Sequence, residues 1–125
     1  MKTVLFLALI GGLAACSSPT QQNKCTLDGR TFRIDNYVGD KLDGTETLVF
    51  QNGKATNDEC TKYGFGDGAY TADGECRFKY TLTSPQEGKM DWEGQVSGQT
   101  ISGKMVWVKA GQADIHYTFK GTEAE

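Results

Sequence analysis

Helical patterning is what this chain most lacks. After the first fifteen residues no segment carries apolar side chains at helical spacing, so an all-β fold with essentially no further helix is expected. Histidine is confined to His116, which by alternation faces opposite to Ile115 and Tyr117, on an outer strand face, and so lacks the setting of a general base. There is no C-x-x-C for a redox site or structural zinc, and no G-x-S-x-G nucleophile elbow. Asp67, Asp73 and Glu75 lack calcium-loop spacing, and Asp91 and Glu93 share a strand face with Lys89, the pattern of solvated surface. No Lys/Arg cluster is present, which argues against nucleic acid as a partner. Together these absences predict a protein that is not an enzyme and needs neither cofactor nor metal.

The leader is informative. "MKTVLFLALIGGLAAC" has one charge, Lys2, an apolar run from Val4 to Ile10, a Gly11-Gly12 break and a small-residue cleavage site before Cys16. The apolar run is far short of the roughly 20 residues that a helical span needs. Leu13-Ala14-Ala15-Cys16 resembles the lipobox of bacterial lipoproteins, in which the cysteine is acylated and becomes the mature N-terminus. That resemblance implies a signal peptide over 1–15, palmitate on Cys16 and a stable anchor, because two or three acyl chains hold where one does not. Ser17, rather than aspartate, follows the cysteine; by the sorting rule of enteric lipoproteins this implies the outer membrane, facing the periplasm. The polar stretch 17–24, "SSPTQQNK", reads as a tether. Without Lys2 the formal charge of -3 becomes -4, since the leader holds no other charge.

Alternation fills the remainder. It predicts strands over 30–37, 46–50, 54–60, 68–72, 76–83, 89–96, 100–109 and 114–120. Asn52-Gly53, Asp73-Gly74, "SPQEG" at 84–88, Ser97-Gly98-Gln99 and Gly111-Gln112 supply hairpin turns; only 38–45 and 61–68 are longer. Eight short strands on tight turns predict an antiparallel up-and-down barrel spanning 25–122, with 123–125 as a tail; a two-sheet sandwich needs longer crossovers. Its inward side chains are Phe32, Ile34, Leu48, Phe50, Phe78, Tyr80, Leu82, Met90, Trp92, Ile101, Met105, Trp107, Ile115, Tyr117 and Phe119.

Gly64-Phe65-Gly66-Asp67-Gly68-Ala69 matches G-x-G-x-x-G/A, the phosphate cradle of dinucleotide-binding folds. That cradle needs a buried strand before it and a helix after it. Here "KATNDEC" before it is polar, and Asp73-Gly74 follows too soon for a helix. A sharp turn over one barrel end, with Tyr63 and Phe65 folded onto that end, fits better.

With Cys16 acylated, Cys25, Cys60 and Cys76 remain. Up-and-down order puts Cys25 and Cys76 at one barrel end and Cys60 at the other, so a Cys25–Cys76 disulfide is expected, with Cys60 left as a free thiol. Cys60–Cys76 is the alternative, open if the fourth strand is very short or irregular.

The run from "LVFQNGKATNDECTKYGFGDGAY" through "SPQEGKMDWEGQVSGQTISGKMVWVK" to "YTFKG" is similar to small uncharacterised bacterial lipoproteins, and the barrel resembles the calycins, the lipocalin-like class. The N-terminal G-x-W of lipocalins is replaced by "LDGRTF". The resemblance brings no activity with it, and the barrel leaves two non-catalytic expectations. One expectation is a small apolar ligand at the end covered by 38–45 and 61–68, with Tyr63, Phe65, Phe78, Tyr80, Trp92, Trp107 and Tyr117 as ligand or rim contacts. The other is a protein-binding module, like periplasmic inhibitors, acting through those same two loops. A filled interior favours the second.

Cys16→Ser is expected to abolish incorporation of labelled palmitate and leave the leader uncleaved by the lipoprotein peptidase. Palmitate entering the variant would refute the lipobox.

Overall fold

Alternating burial along each strand closes the sheet around a single interior. The computed structural model describes residues 25–125; the leader, Cys16 and the tether lie outside the described residues. The strands are β1 (Thr31–Val38), β2 (Lys41–Gln51), β3 (Lys54–Asn57), β4 (Gly68–Ala72), β5 (Arg77–Ser84), β6 (Gly88–Ser97), β7 (Thr100–Val108) and β8 (Ile115–Glu123). They pair in sequence order, all antiparallel, and β8 returns to β1 to make a closed eight-stranded up-and-down barrel. β5 shows the cause most plainly: Phe78, Tyr80, Leu82 and Ser84 are buried and the residues between them exposed.

Three boundaries differ from the sequence reading. The segment 38–45 is not a loop. β2 begins at Lys41, opposite Val38, across a two-residue Gly39-Asp40 turn, and β2 bulges at Asp43, the extra residue between the pairs Asn36–Gly44 and Tyr37–Leu42. The strand expected over 54–60 stops at Asn57, and a single helical turn, α1 (Asp58–Thr61), takes its place. Asp58 and Glu59 favour that turn by lying at its positive end. The Asn57 side chain does not cap it, because Asn57 Oδ1 instead accepts from the Tyr80 hydroxyl at 2.9 Å. Glu123, set apart as tail, belongs to β8: Arg30 clasps its carboxylate at 2.7 and 3.0 Å, and the Ala124 N–H donates to Thr31 O.

One half of the interior is solid. Phe32, Phe50, Phe78, Tyr80, Trp92 and Phe119 fill it, with Tyr80 stacked on Phe78 and on Trp92 and the other rings edge-on or tilted. The facing wall makes room for them. Gly94 and Gly103 sit opposite each other on β6 and β7, and a Cβ on either would lie within 3.0 Å of the Phe119 ring. Leu27, fully buried, stoppers the base of the barrel, where the described chain begins.

The cysteines confirm the strand order. Cys25 and Cys76 meet at the base in a disulfide with Cα atoms 5.2 Å apart, and Cys60 is free at the opposite end. Cysteines 51 residues apart close a loop worth about 4 kcal/mol in the chain-entropy account. The double variant Cys25→Ala/Cys76→Ala is therefore expected to melt well below the parent under oxidising conditions, by circular dichroism. An unchanged midpoint would show that the link carries no stability.

Candidate functional site

At the end away from the disulfide the interior opens into a cavity of about 620 Å³. Three structural pieces make its rim. The β1–β2 hairpin contributes Asp43, Gly44 and Thr45; α1 and the loop after it contribute Glu59, Cys60, Tyr63 and Phe65; the 84–88 turn contributes Glu87. Met90, Met105, Trp107 and Tyr117 form the wall on β6, β7 and β8.

Ser84 ties the rim together. Its hydroxyl donates to Tyr63 O at 2.9 Å and accepts from the Glu87 N–H at 3.2 Å. The Glu87 carbonyl in turn accepts from the Trp107 indole at 2.6 Å, fixing the orientation of that ring. The glycine motif now has its explanation. Gly64 turns the loop at φ +88°, and Gly68 starts β4 so close to β5 that a Cβ would lie 2.1 Å from Thr81 O. It is a turn into a strand, so no helix N-terminus stands where a pyrophosphate would need one.

The expected contacts divide. Tyr63, Phe65, Trp107 and Tyr117 line the cavity, with Tyr63 the most exposed and Phe65 folded inward. Phe78, Tyr80 and Trp92 do not; they are buried in the aromatic half and serve as its packing. Ile115, expected inward, stands half-buried at the mouth and outside the core.

The cavity also contains polar groups that were not anticipated. Asn36 and Glu46 are buried and face inward, and the Asn36 Nδ2 donates to Glu46 Oε2. Glu46 Oε1 receives the Cys60 thiol, at 3.8 Å. Asn36 Oδ1 and Asn57 Nδ2 are buried without a hydrogen-bond partner among the described residues. The pattern that could have found them is the alternation itself: Asn36 follows inward Ile34 by two, and Glu46 precedes inward Leu48 by two.

Burial pushes the Glu46 carboxyl above the ordinary carboxylate range. The amides of Asn36 and Asn57 favour the anion and offset only part of that, while nearby Asp58 adds to it. The same burial, with Glu46 beside it, pushes the Cys60 thiol up strongly and keeps it protonated. Cys60 packs as a small apolar group, its sulfur 3.5 Å from that of Met90. No cluster of three or more His, Cys, Asp or Glu side chains able to hold a metal occurs among the described residues.

Fold and site together define a small closed β-barrel, packed at one end and hollow at the other. No protein-family model, curated protein or solved structure matches the chain.

A carboxyl whose pKa is higher folded than unfolded binds its proton more tightly in the folded state. Stability therefore falls as pH rises from the unfolded value, about 4.3, through the folded one, and levels off above it. Glu46→Gln keeps the shape and an oxygen for Asn36 but cannot ionise. It is expected to melt above the parent near about pH 8, with the gain shrinking toward about pH 4. Thermal melts across that range decide it, and a variant less stable than the parent at the upper end would overturn the assignment.

Proposed function

We propose that this is a lipid-anchored bacterial envelope protein of the calycin-like kind, non-catalytic, that holds a small, largely apolar ligand in the open half of its barrel. Acylation of Cys16 would fix it to the outer membrane, facing the periplasm. The observation that carries the reading is the cavity at the end covered by 38–45 and 61–68, lined by Met90, Met105, Trp107, Tyr117 and Phe65. Its volume of about 620 Å³ falls within the usual range for small-molecule sites. Two further features support the setting. The Cys25–Cys76 disulfide suits an oxidising compartment. The chain enters the barrel at its closed base, so an anchor upstream would leave the mouth free of the membrane.

A second reading rests on its own observation. The exposed large hydrophobic residues of the barrel, Val38, Leu42 and Tyr63, all lie in those two rim segments. A rim of that kind suits a protein-binding module, with the interior playing no part.

The neutral dye N-phenyl-1-naphthylamine separates the two. Saturable one-to-one binding is expected, with a change in Trp107 emission that Trp107→Phe removes. A cavity-filling variant, Met105→Trp, is expected to abolish dye binding while the barrel's circular dichroism spectrum is kept. No dye binding, or binding indifferent to Met105→Trp, would favour the rim.

A further inference from the structure

The side chains lining the cavity carry charge of one sign only. Asp43, Glu46, Glu59 and Glu87 contribute carboxyls, and no lysine, arginine or histidine is among the lining residues. Two of the four are compensated from outside: Lys62 pairs with Glu59 at 3.0 Å and Lys109 with Glu87 at 2.9 Å. Asp43 and Glu46 have no ion-pair partner among the described residues. Glu46 is the deeper, 4% exposed, and with one bond from the Asn36 amide, the Asn57 amide nearby and a weak thiol contact its two oxygens keep acceptor capacity in reserve.

An independent observation points the same way. Asn36, 7% exposed, lines the cavity beside Glu46 with its Oδ1 buried and without a partner. A buried acceptor left empty is costly, and in native structures it calls for an explanation. Two neighbouring groups thus offer acceptors to whatever occupies the cavity. The ligand group that matches is a donor with no acceptor of its own, and an ammonium also supplies the charge that Glu46 lacks. Above it stand Tyr117 and Trp107, whose ring faces attract cations, and the thioethers of Met90 and Met105, which suit an apolar body. The rim already shows such an arrangement: the Lys109 ammonium that pairs with Glu87 also lies 5.9 Å from the centroid of the Trp107 ring.

The geometry points to a small amphipathic cation as the occupant, an amine with an alkyl or aryl body, its ammonium on Glu46 and Asn36 Oδ1 and its body against Met90, Met105, Trp107 and Tyr117. This assignment rests on the binding reading above and names its ligand class.

Three probes with one chain length and different heads test it: n-octylamine, n-octanol and octanoate, titrated at neutral pH into the purified protein, with calorimetry and Trp107 emission as readouts. Octylamine is expected to bind at least tenfold more tightly than octanol, and octanoate most weakly. Glu46→Gln, shown folded by circular dichroism, is expected to lose the preference for the amine while keeping its octanol affinity. Asn36→Leu, which removes the empty acceptor, is expected to weaken the amine as well. Octanol equal to octylamine, octanoate binding best, or an unchanged amine preference in Glu46→Gln overturns the cation and leaves a generic apolar site standing. If none of the three binds and none displaces N-phenyl-1-naphthylamine, the cavity reading itself falls.

Discussion

The pairing of β1 with β8 is the contact on which everything else depends. Six consecutive residue pairs, from Phe32 opposite Glu123 to Tyr37 opposite Thr118, turn an eight-stranded meander into a ring with no free edge. A sheet left open at that seam would expose Phe32 and Ile34 on one side and Phe119 on the other. Closure also fixes how much room there is. An eight-stranded barrel is wide enough to be filled by side chains or to hold one small molecule.

This chain divides that room lengthwise instead of choosing. Large rings crowd the half nearest the base, accommodated by the missing side chains of Gly94 and Gly103. Toward the mouth the inward positions change character: Asn36, Glu46 and Cys60 enter, and the flexible Met90 and Met105 stand beside Trp107 and Tyr117. The packed half carries the stability expected of a core, and so the other half can tolerate a buried carboxyl and an unmatched amide. The barrel is thinnest beside that half, where β3 and β4 share only the pairs Lys54–Ala69 and Ala55–Gly68 and α1 covers the gap.

Much of this was legible in the sequence, and the misses have physical causes. Strict alternation with good turn residues specified β5 through β8 and their inward rings, and strand order favoured Cys25–Cys76 while leaving Cys60–Cys76 open to a short fourth strand. Lys41–Thr45 was hidden because its Asp43-Gly44 reads as a turn and its residues are polar; there the strand is a ribbon rising beyond the core, specified by its partner rather than by burial. The end of β3 was hidden because Asn57 takes its bond from Tyr80, a residue 23 positions away that no local rule can see. The polar floor of the cavity was overlooked for a different reason. Asn36 and Glu46 obey the inward alternation, but an inward list drawn from apolar letters passes over residues whose burial is exceptional.

The disulfide at the base also has a mechanical meaning. Any load carried by the chain ahead of Cys25 enters the barrel at two places at once, the run leading into β1 and, through Cys76, the start of β5. Those strands lie on opposite sides of the ring, so a pull is spread across the cylinder rather than peeling one strand from its neighbour. With the bridge cut, the same pull would act on β1 alone and draw first on the Leu27 stopper. Tension on the foot of such a cup does not bear on its lip.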